Sequence, residues 1–412
     1  MNTCEESKRI NALRWRVVIG GFLCQFCAGL LYTWSLYVNP LIEHHGWDRS
    51  GLGVTFSIAT LVIPVVMIPG AKILARVGPS KTVLLGGILL VSGLILSSFS
   101  SSLPMLYLGY GILGGTGVGM IYGVPIATSL KWFPDKKGLI SGIIISGFGM
   151  GSILFAPLCT IFIENLGPHQ AFLFQAAVTV VGLAIGIPML KAAPDGFVPP
   201  GFRLADQGGM AFSYSYTPAQ MLKKRQYWFL MLMYLFSNLS GLFIIGNASP
   251  ISQDIAGLTV IQAGTIVSIL AIANTAGRFF FGTLSDKIGA IRVVTIIYAI
   301  NFVLMLSLRF MTSYALIAVG IAGIAICFGG MLGVYPALVA DYFGTKHISM
   351  NYALVFLAYG VAAALVTPVA AISLNHFGDY NIAFIVIGIS CGVGFLMSLI
   401  SKKPIPPPAE QE

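Results

Sequence analysis

The sequence predicts an all-α membrane protein with twelve transmembrane helices arranged as two six-helix pseudo-repeats. Its composition, the length of its apolar runs and an internal repeat carry this reading. Hydrophobic residues fill 57% of the 412 positions and charged residues only 9%, against about 25% charged in a typical soluble chain. Twelve apolar runs approach or exceed the length of about 20 residues that spans a bilayer. They lie at roughly 17–42, 50–74, 83–101, 104–131, 138–163, 168–191, 227–251, 259–284, 292–311, 313–340, 349–375 and 379–401. Hydrocarbon offers the backbone no water, so each run is expected to satisfy its own hydrogen bonds as a helix. The short alternating segments of a membrane barrel are not seen. Residues 1–16 are polar and the first apolar run is too long for a signal-peptide core, so the first helix is expected to be retained.

The repeat appears at two places. The loop Ala71–Gly78 after the second run pairs with Gly282–Gly289 after the eighth, at an offset of 211 residues. Lys131-Trp132-Phe133-Pro134 after the fourth run pairs with Asp341-Tyr342-Phe343-Gly344 after the tenth, at an offset of 210. Two nearly equal offsets point to duplicated halves. The expected organisation is a six-helix bundle over 1–192, a linker over 193–226, a second bundle over 227–403 and a disordered tail over 404–412. The linker is marked by Pro194, Gly196, Pro199, Pro200 and Gly201. Thr217-Pro218 followed by Met221, Leu222 and Lys223-Lys224-Arg225 predicts a short surface helix at its end.

Charge placement sets an expected orientation. Of the 23 Lys and Arg residues, Arg49 and Arg309 flank one side, Arg278 lies inside a run, and the other twenty occupy the opposite loops and tails. The positive-inside rule then puts both termini in the cytoplasm. The net charge of +9 follows from that topology and implies no nucleic-acid partner. The expected location is a plasma membrane, the inner membrane in a bacterium, with membrane lipid around the helices.

Several motifs are discounted. Gly109-Tyr110-Gly111-Ile112-Leu113-Gly114 fits a dinucleotide fingerprint in letters only, because it lies inside an apolar run with no preceding strand. With Gly115, Gly117 and Gly119 it reads as a small-residue face for close helix packing, as do Gly147, Gly149 and Gly151. His44-His45, with only Glu43 and Asp48 nearby, gives no metal-ligand spacing, and the six cysteines form no zinc or disulfide pattern. No nucleophile–base pair or carboxylate dyad points to an enzyme, and no cofactor is implied.

Arg278 is the exception to an otherwise uncharged interior. All fourteen acids fall in loops, tails or last helical turns. Arg278 precedes Asp286 by eight residues, which places it about 12 Å inside at about 1.5 Å per residue. A charge at that depth costs about 2.5 kcal/mol or more and marks a functional site by default. Snorkelling toward the headgroups is the alternative. With no acid in the membrane to neutralise it, a transported anion is the economical partner, and a guanidinium fork matches a carboxylate. Asn274, four residues earlier on the same face, is placed to contact the anion, orient Arg278 or bond another helix.

The loop Gly282–Gly289 resembles the G-x-x-x-D-[RK]-x-G signature of the major facilitator superfamily. The resemblance implies that Asp286 and Lys287 form a conformational latch; Ala75 stands where the first-half copy would carry the Asp. Tyr32–Pro40, Trp132–Gly138 and Asn274–Gly289 together resemble the oxalate:formate antiporter family, which is related to the monocarboxylate transporters. In that antiporter a helix 8 arginine and a helix 11 lysine clamp a dicarboxylate. Arg278 falls at the arginine's place and Tyr359 at the lysine's. One cation balances one carboxylate, whereas a second carboxylate would leave surplus charge in a low-dielectric cavity. By the same resemblance Tyr32, Tyr122, Phe148, Phe328, Tyr335 and Phe356 join Tyr359 around the substrate, with Tyr122 and Tyr359 preferred because a buried phenol needs a partner. Animal monocarboxylate transporters carry an acid where this chain has Asn274, so no residue is assigned the proton. The expectation is proton-coupled transport of a small monocarboxylate of the lactate or pyruvate type. Carboxylate exchange and a non-transporting receptor are the alternatives.

Overall fold

A computed structural model describes residues 2–194, 197–199 and 215–405. Twelve helices long and apolar enough to span a membrane are present among them. They are α1 (Arg9–His45), α2 (Ser50–Val77), α3 (Pro79–Ser98), α4 (Leu103–Trp132), α5 (Lys137–Leu166) and α6 (Pro168–Met189), then α7 (Arg225–Ala256), α8 (Ile261–Ile288), α9 (Ala290–Phe310), α10 (Tyr314–Phe343), α11 (Ile348–Phe377) and α12 (Asn381–Ile400). Each expected run is matched by one helix, but several helices extend past their apolar stretch. Intrahelical hydrogen bonding continues into the interfacial region, where hydropathy has already fallen.

The ends follow from local chemistry. Asp48 caps α2 by accepting from the Gly51 N–H at 3.1 Å. The Ser50 hydroxyl and then that N–H hold its exposed carboxyl below the usual range. Thr259 and Gln262 form a reciprocal capping box at the start of α8. The short helix expected at the end of the linker is present as Pro218–Leu222, closed by a capping box between Thr217 and Gln220. Much of the rest of the linker, and the tail from 406 onward, lie outside the described residues.

Two helices depart from regular α geometry. Gly29–Trp34 in α1 is a 3₁₀ segment, and Tyr107–Gly114 in α4 is a π segment. The glycine-rich run in α4 therefore does sit within a helix, and its glycines admit neighbouring backbones. A Cβ on Gly117 would meet the Leu90 nitrogen at 2.5 Å and the Gly86 carbonyl at 2.6 Å. Gly119 stands equally close to the Ile63 carbonyl on α2.

Helices α1–α6 pack among themselves, as do α7–α12, and the two groups meet along α5–α8, α5–α10 and α2–α11. Large apolar side chains such as Val65, Val181, Val303 and Val319 remain exposed on the outer surface, as a lipid-facing belt requires. The face bearing the α2–α3, α4–α5, α8–α9 and α10–α11 loops is called the basic face below.

A Gly117→Leu substitution is expected to lower stability by about 1–3 kcal/mol through overpacking, read by thermal unfolding of the detergent-solubilised chain. Gly264→Ala, at an exposed helical position with nothing within 4 Å of the added carbon, should leave the transition unchanged or raise it slightly. Equal effects from the two substitutions would refute the packing argument.

Candidate substrate site at Arg278

Close approach of three helices places Arg278. On α5, a Cβ at Gly142 would collide with the Arg278 carbonyl; on α10, a Cβ at Gly333 would lie 2.6 Å from it. Gly138 and Gly329 admit the backbones of Gly282 and Asn274 in the same way. The α8 backbone is thus seated in grooves that only glycine leaves open. Its arginine, 1% exposed, is directed inward rather than to a headgroup layer, which disfavours snorkelling.

The guanidinium is held at both ends. Nε donates to Asn274 Oδ1 at 3.1 Å within α8, and an Nη donates to the Ile145 carbonyl on α5 at 2.6 Å. A guanidinium has five N–H donors, so these bonds leave donors free at the neighbouring cavity. Arg278 has no carboxylate within ion-pair distance among the described residues. Asn274, expected to contact the substrate, bonds the cation instead and is not among the residues lining the cavity.

That cavity, of about 20 Å³, is lined by Leu31, Tyr32, Thr60, Ile63, Tyr122, Phe148, Arg278, Leu332, Phe356 and Tyr359. Such a volume admits about one water-sized group. Its aromatic walls form a connected set. Tyr32 meets Phe148 edge-on at 4.9 Å and Tyr122 meets Phe148 at 5.5 Å. Tyr122 lies 5.1 Å from Phe356, which stacks on Tyr359 at 5.1 Å. Phe148 presents its ring 6.0 Å from the Arg278 guanidinium carbon, at the outer limit of a cation–π contact.

Six of the residues expected at the site therefore converge: Arg278, Tyr32, Tyr122, Phe148, Phe356 and Tyr359. Phe328 and Tyr335 do not line the cavity. Phe328 packs over Gly241 on α7, and Tyr335 stacks on Tyr234 at 4.1 Å while donating to the Leu230 carbonyl. Both flank Leu332 on α10 but give their rings to α7, because the motif match fixes only their position in sequence and the neighbouring helix decides what each ring meets. Leu31, Thr60, Ile63 and Leu332 were not anticipated. Three are unremarkable apolar residues, and Thr60 hides its polarity by bonding the Phe56 and Ser57 carbonyls. Tyr234 and Tyr352, whose buried hydroxyls lie beside one another, form a second layer behind Tyr122 and Phe356.

The halves are fastened at the basic face. Asp286 accepts from the Gly138 and Leu139 N–H groups, each at 2.7 Å, and so caps the first turn of α5 from across the interface. Beside it Lys137 on α5 pairs with Asp341 on α10 at 2.6 Å. Ser141 adds a bond to the Gly333 carbonyl at 2.6 Å. Of the two residues expected to form a latch, Asp286 thus acts as a cap on a helix of the other half, where exposed N–H groups and the positive helix end favour a carboxylate. Lys287 is exposed and makes no ion pair among the described residues. Within the amino-terminal half, Arg14 pairs with Asp135 and donates to the Trp132 carbonyl at 2.8 Å.

The profile of the Major Facilitator Superfamily matches residues 21–334 and again 231–412. The chain belongs to this family. It is similar to the uncharacterized MFS-type transporter YhjX of Escherichia coli (strain K12), at 34% identity over 85% of this chain and 86% of that protein. It is also similar to the oxalate:formate antiporter of Oxalobacter formigenes, at 28% identity over 93% and 90%. Monocarboxylate transporter 12 of Rattus norvegicus matches at 25% over 94% and 84%. These relatives put the chain in the oxalate:formate and monocarboxylate branch of the family. The crystal structure of the MFS transporter FucP in the outward conformation shares the fold, with a TM-score of 0.72 at 13% identity over 94% of this chain and 98% of that one. The protein is thus a multi-pass transporter of the plasma membrane and not an enzyme.

Replacing Asp286 by Asn removes a charge-assisted cap worth about 1–2 kcal/mol. Spin labels on one basic-face loop of each half should then report a longer or broader distance distribution, with Lys287→Ala unchanged. An unaltered Asp286→Asn distribution would show that this contact does not hold the halves.

Proposed function

We propose that this transporter moves small monocarboxylates of the lactate or pyruvate type, with a proton, by alternating access in which Arg278 binds the carboxylate. The observation that carries the reading is a buried guanidinium beside an aromatic cavity with no acid in ion-pair reach among the described residues. Tyr359 lines that cavity at the position that the antiporter family gives to a second cation. A single positive charge favours one carboxylate over two. The aromatic rings suit a short carbon skeleton, and the Tyr122 and Tyr359 phenols suit a hydroxyl or keto oxygen.

The Ile145 bond supplies a mechanism. It ties Arg278 on α8 to α5, so the cation is both ligand and interface contact. A carboxylate competing for the same N–H replaces a neutral carbonyl with a charged acceptor, roughly doubling the bond strength. It thereby loosens one link between the halves as it binds. Rocking about a central site then exposes it alternately, with the Asp286 and Lys137 contacts closing the side that charge placement makes cytoplasmic. A neutralised Arg278–carboxylate pair crosses more readily than bare Arg278, and one carboxylate with one proton is a cargo of no net charge.

In proteoliposomes, uptake of labelled L-lactate should rise with an inward proton gradient and need no internal anion. Arg278→Ala should reduce apparent affinity by two orders of magnitude or more, since stripping one partner from a buried charge pair costs about 3–5 kcal/mol. Normal transport by that variant would sink the site assignment. The name of the Oxalobacter relative favours obligatory exchange as a second reading; uptake that appears only with a carboxylate inside would establish it.

Asn274→Ala should weaken lactate binding about tenfold, matching one lost hydrogen bond to a charged group, in a substrate-dependent thermal shift. An unchanged affinity would show that Asn274 does not orient the cation.

A further inference from the structure

On the face opposite the basic one, the structure gathers three histidines from two helices. His44 and His45 end α1, and His169 lies in the first turn of α6. One ring nitrogen from each lies within 4.8 Å of the others. The Nε2 atoms of His45 and His169 are 2.8 Å apart. The sequence offered only the adjacent pair; His169, 124 residues from His45, joins it through the fold.

We propose that His44, His45 and His169 form a binding site for a divalent late first-row transition ion such as Zn²⁺. Three imidazoles are a favoured donor set for such an ion and leave a fourth position to water or a solute. At metal–nitrogen distances of about 2.0–2.1 Å, tetrahedral ligand atoms lie about 3.3 Å apart, so the His45–His169 pair needs to open by only about half an ångström. In the metal-free site those two nitrogens share one proton. A metal displaces that proton and takes both lone pairs.

The surroundings hold the rings in place. His45 stacks on Trp47 at 4.1 Å with planes 8° apart, and all three imidazoles pack edge-on against one another. Gly46, with φ of 68°, turns the chain sharply after His45, and Gly167, with φ of 88°, does so just before His169. The His169 Nδ1 is buried and faces the backbone of Ser97 and Ser98. An Nδ1–H would be anchored there once Nε2 is given to a metal, the usual support for a ligating histidine. His44 is exposed and the other two half-buried, so an ion can enter from solution. Both helices belong to the amino-terminal six, so a bound ion ties α1 to α6 without bridging to the other half.

The test uses the full chain without a polyhistidine tag, purified in detergent and stripped with chelator. Titration with Co²⁺ should give visible ligand-field bands at one ion per chain, displaced by Zn²⁺. The substitutions His45→Gln and His169→Gln should each weaken binding at least tenfold, with the metal-free melting temperature and elution volume unchanged. Should either fail to fold, His44→Gln at the exposed position carries the same test. Absence of a stoichiometric ion, or retention at full affinity by the substituted chains, would overturn the site and leave a hydrogen-bonded ring cluster. Neither result depends on the carboxylate reading, since the assay involves no substrate.

Discussion

A guanidinium keeps its proton under any condition a protein meets, so a buried Arg278 cannot escape its desolvation cost by neutralising. A lysine at the same depth could. The surrounding structure answers that fixed charge with partial measures: one amide oxygen, one carbonyl and the face of an aromatic ring at 6.0 Å. None of these cancels a full charge. The arrangement is therefore satisfied enough to fold and leaves net positive charge at the cavity, and the proposed role of Arg278 in binding an anion rests on this imbalance.

The precision of the arrangement comes from small residues rather than from polar contacts. Gly142 and Gly333 let α5 and α10 close on the backbone of Arg278 itself. In a lipid environment the hydrophobic effect does not drive helix association, so close packing and a few polar bonds carry it. The same glycines that position the cation also form the seam along which the halves meet. Site geometry and interface geometry are consequently one quantity, and a change in either moves the other.

Closure at the basic face follows a similar economy. Asp286 reaches across to unpaired N–H groups that the start of any helix must leave open, so the contact needs no dedicated partner side chain. Lys137 and Asp341 add a partly screened pair beside it. Contacts of this kind are individually weak and reversible, as befits a joint between bodies that must separate.

The sequence alone determined the twelve spans, because the length and apolarity of a run bear directly on whether it can cross hydrocarbon. It also singled out Arg278, since a charge inside such a run is visible without any fold. The resemblance in motifs added Tyr32, Tyr122, Phe148, Phe356 and Tyr359 in positions that the fold brings together. The tertiary structure decided what depends on helix rotation and on contacts distant in sequence. It sent the Phe328 and Tyr335 rings to α7, brought Thr60 and Leu332 to the cavity, gave an Arg278 N–H to Ile145 and made Asp286 a cap on α5. It also carried His169 to His44 and His45. Period and motif fix where a residue lies along its helix; only packing between helices fixes which way it faces and what it meets.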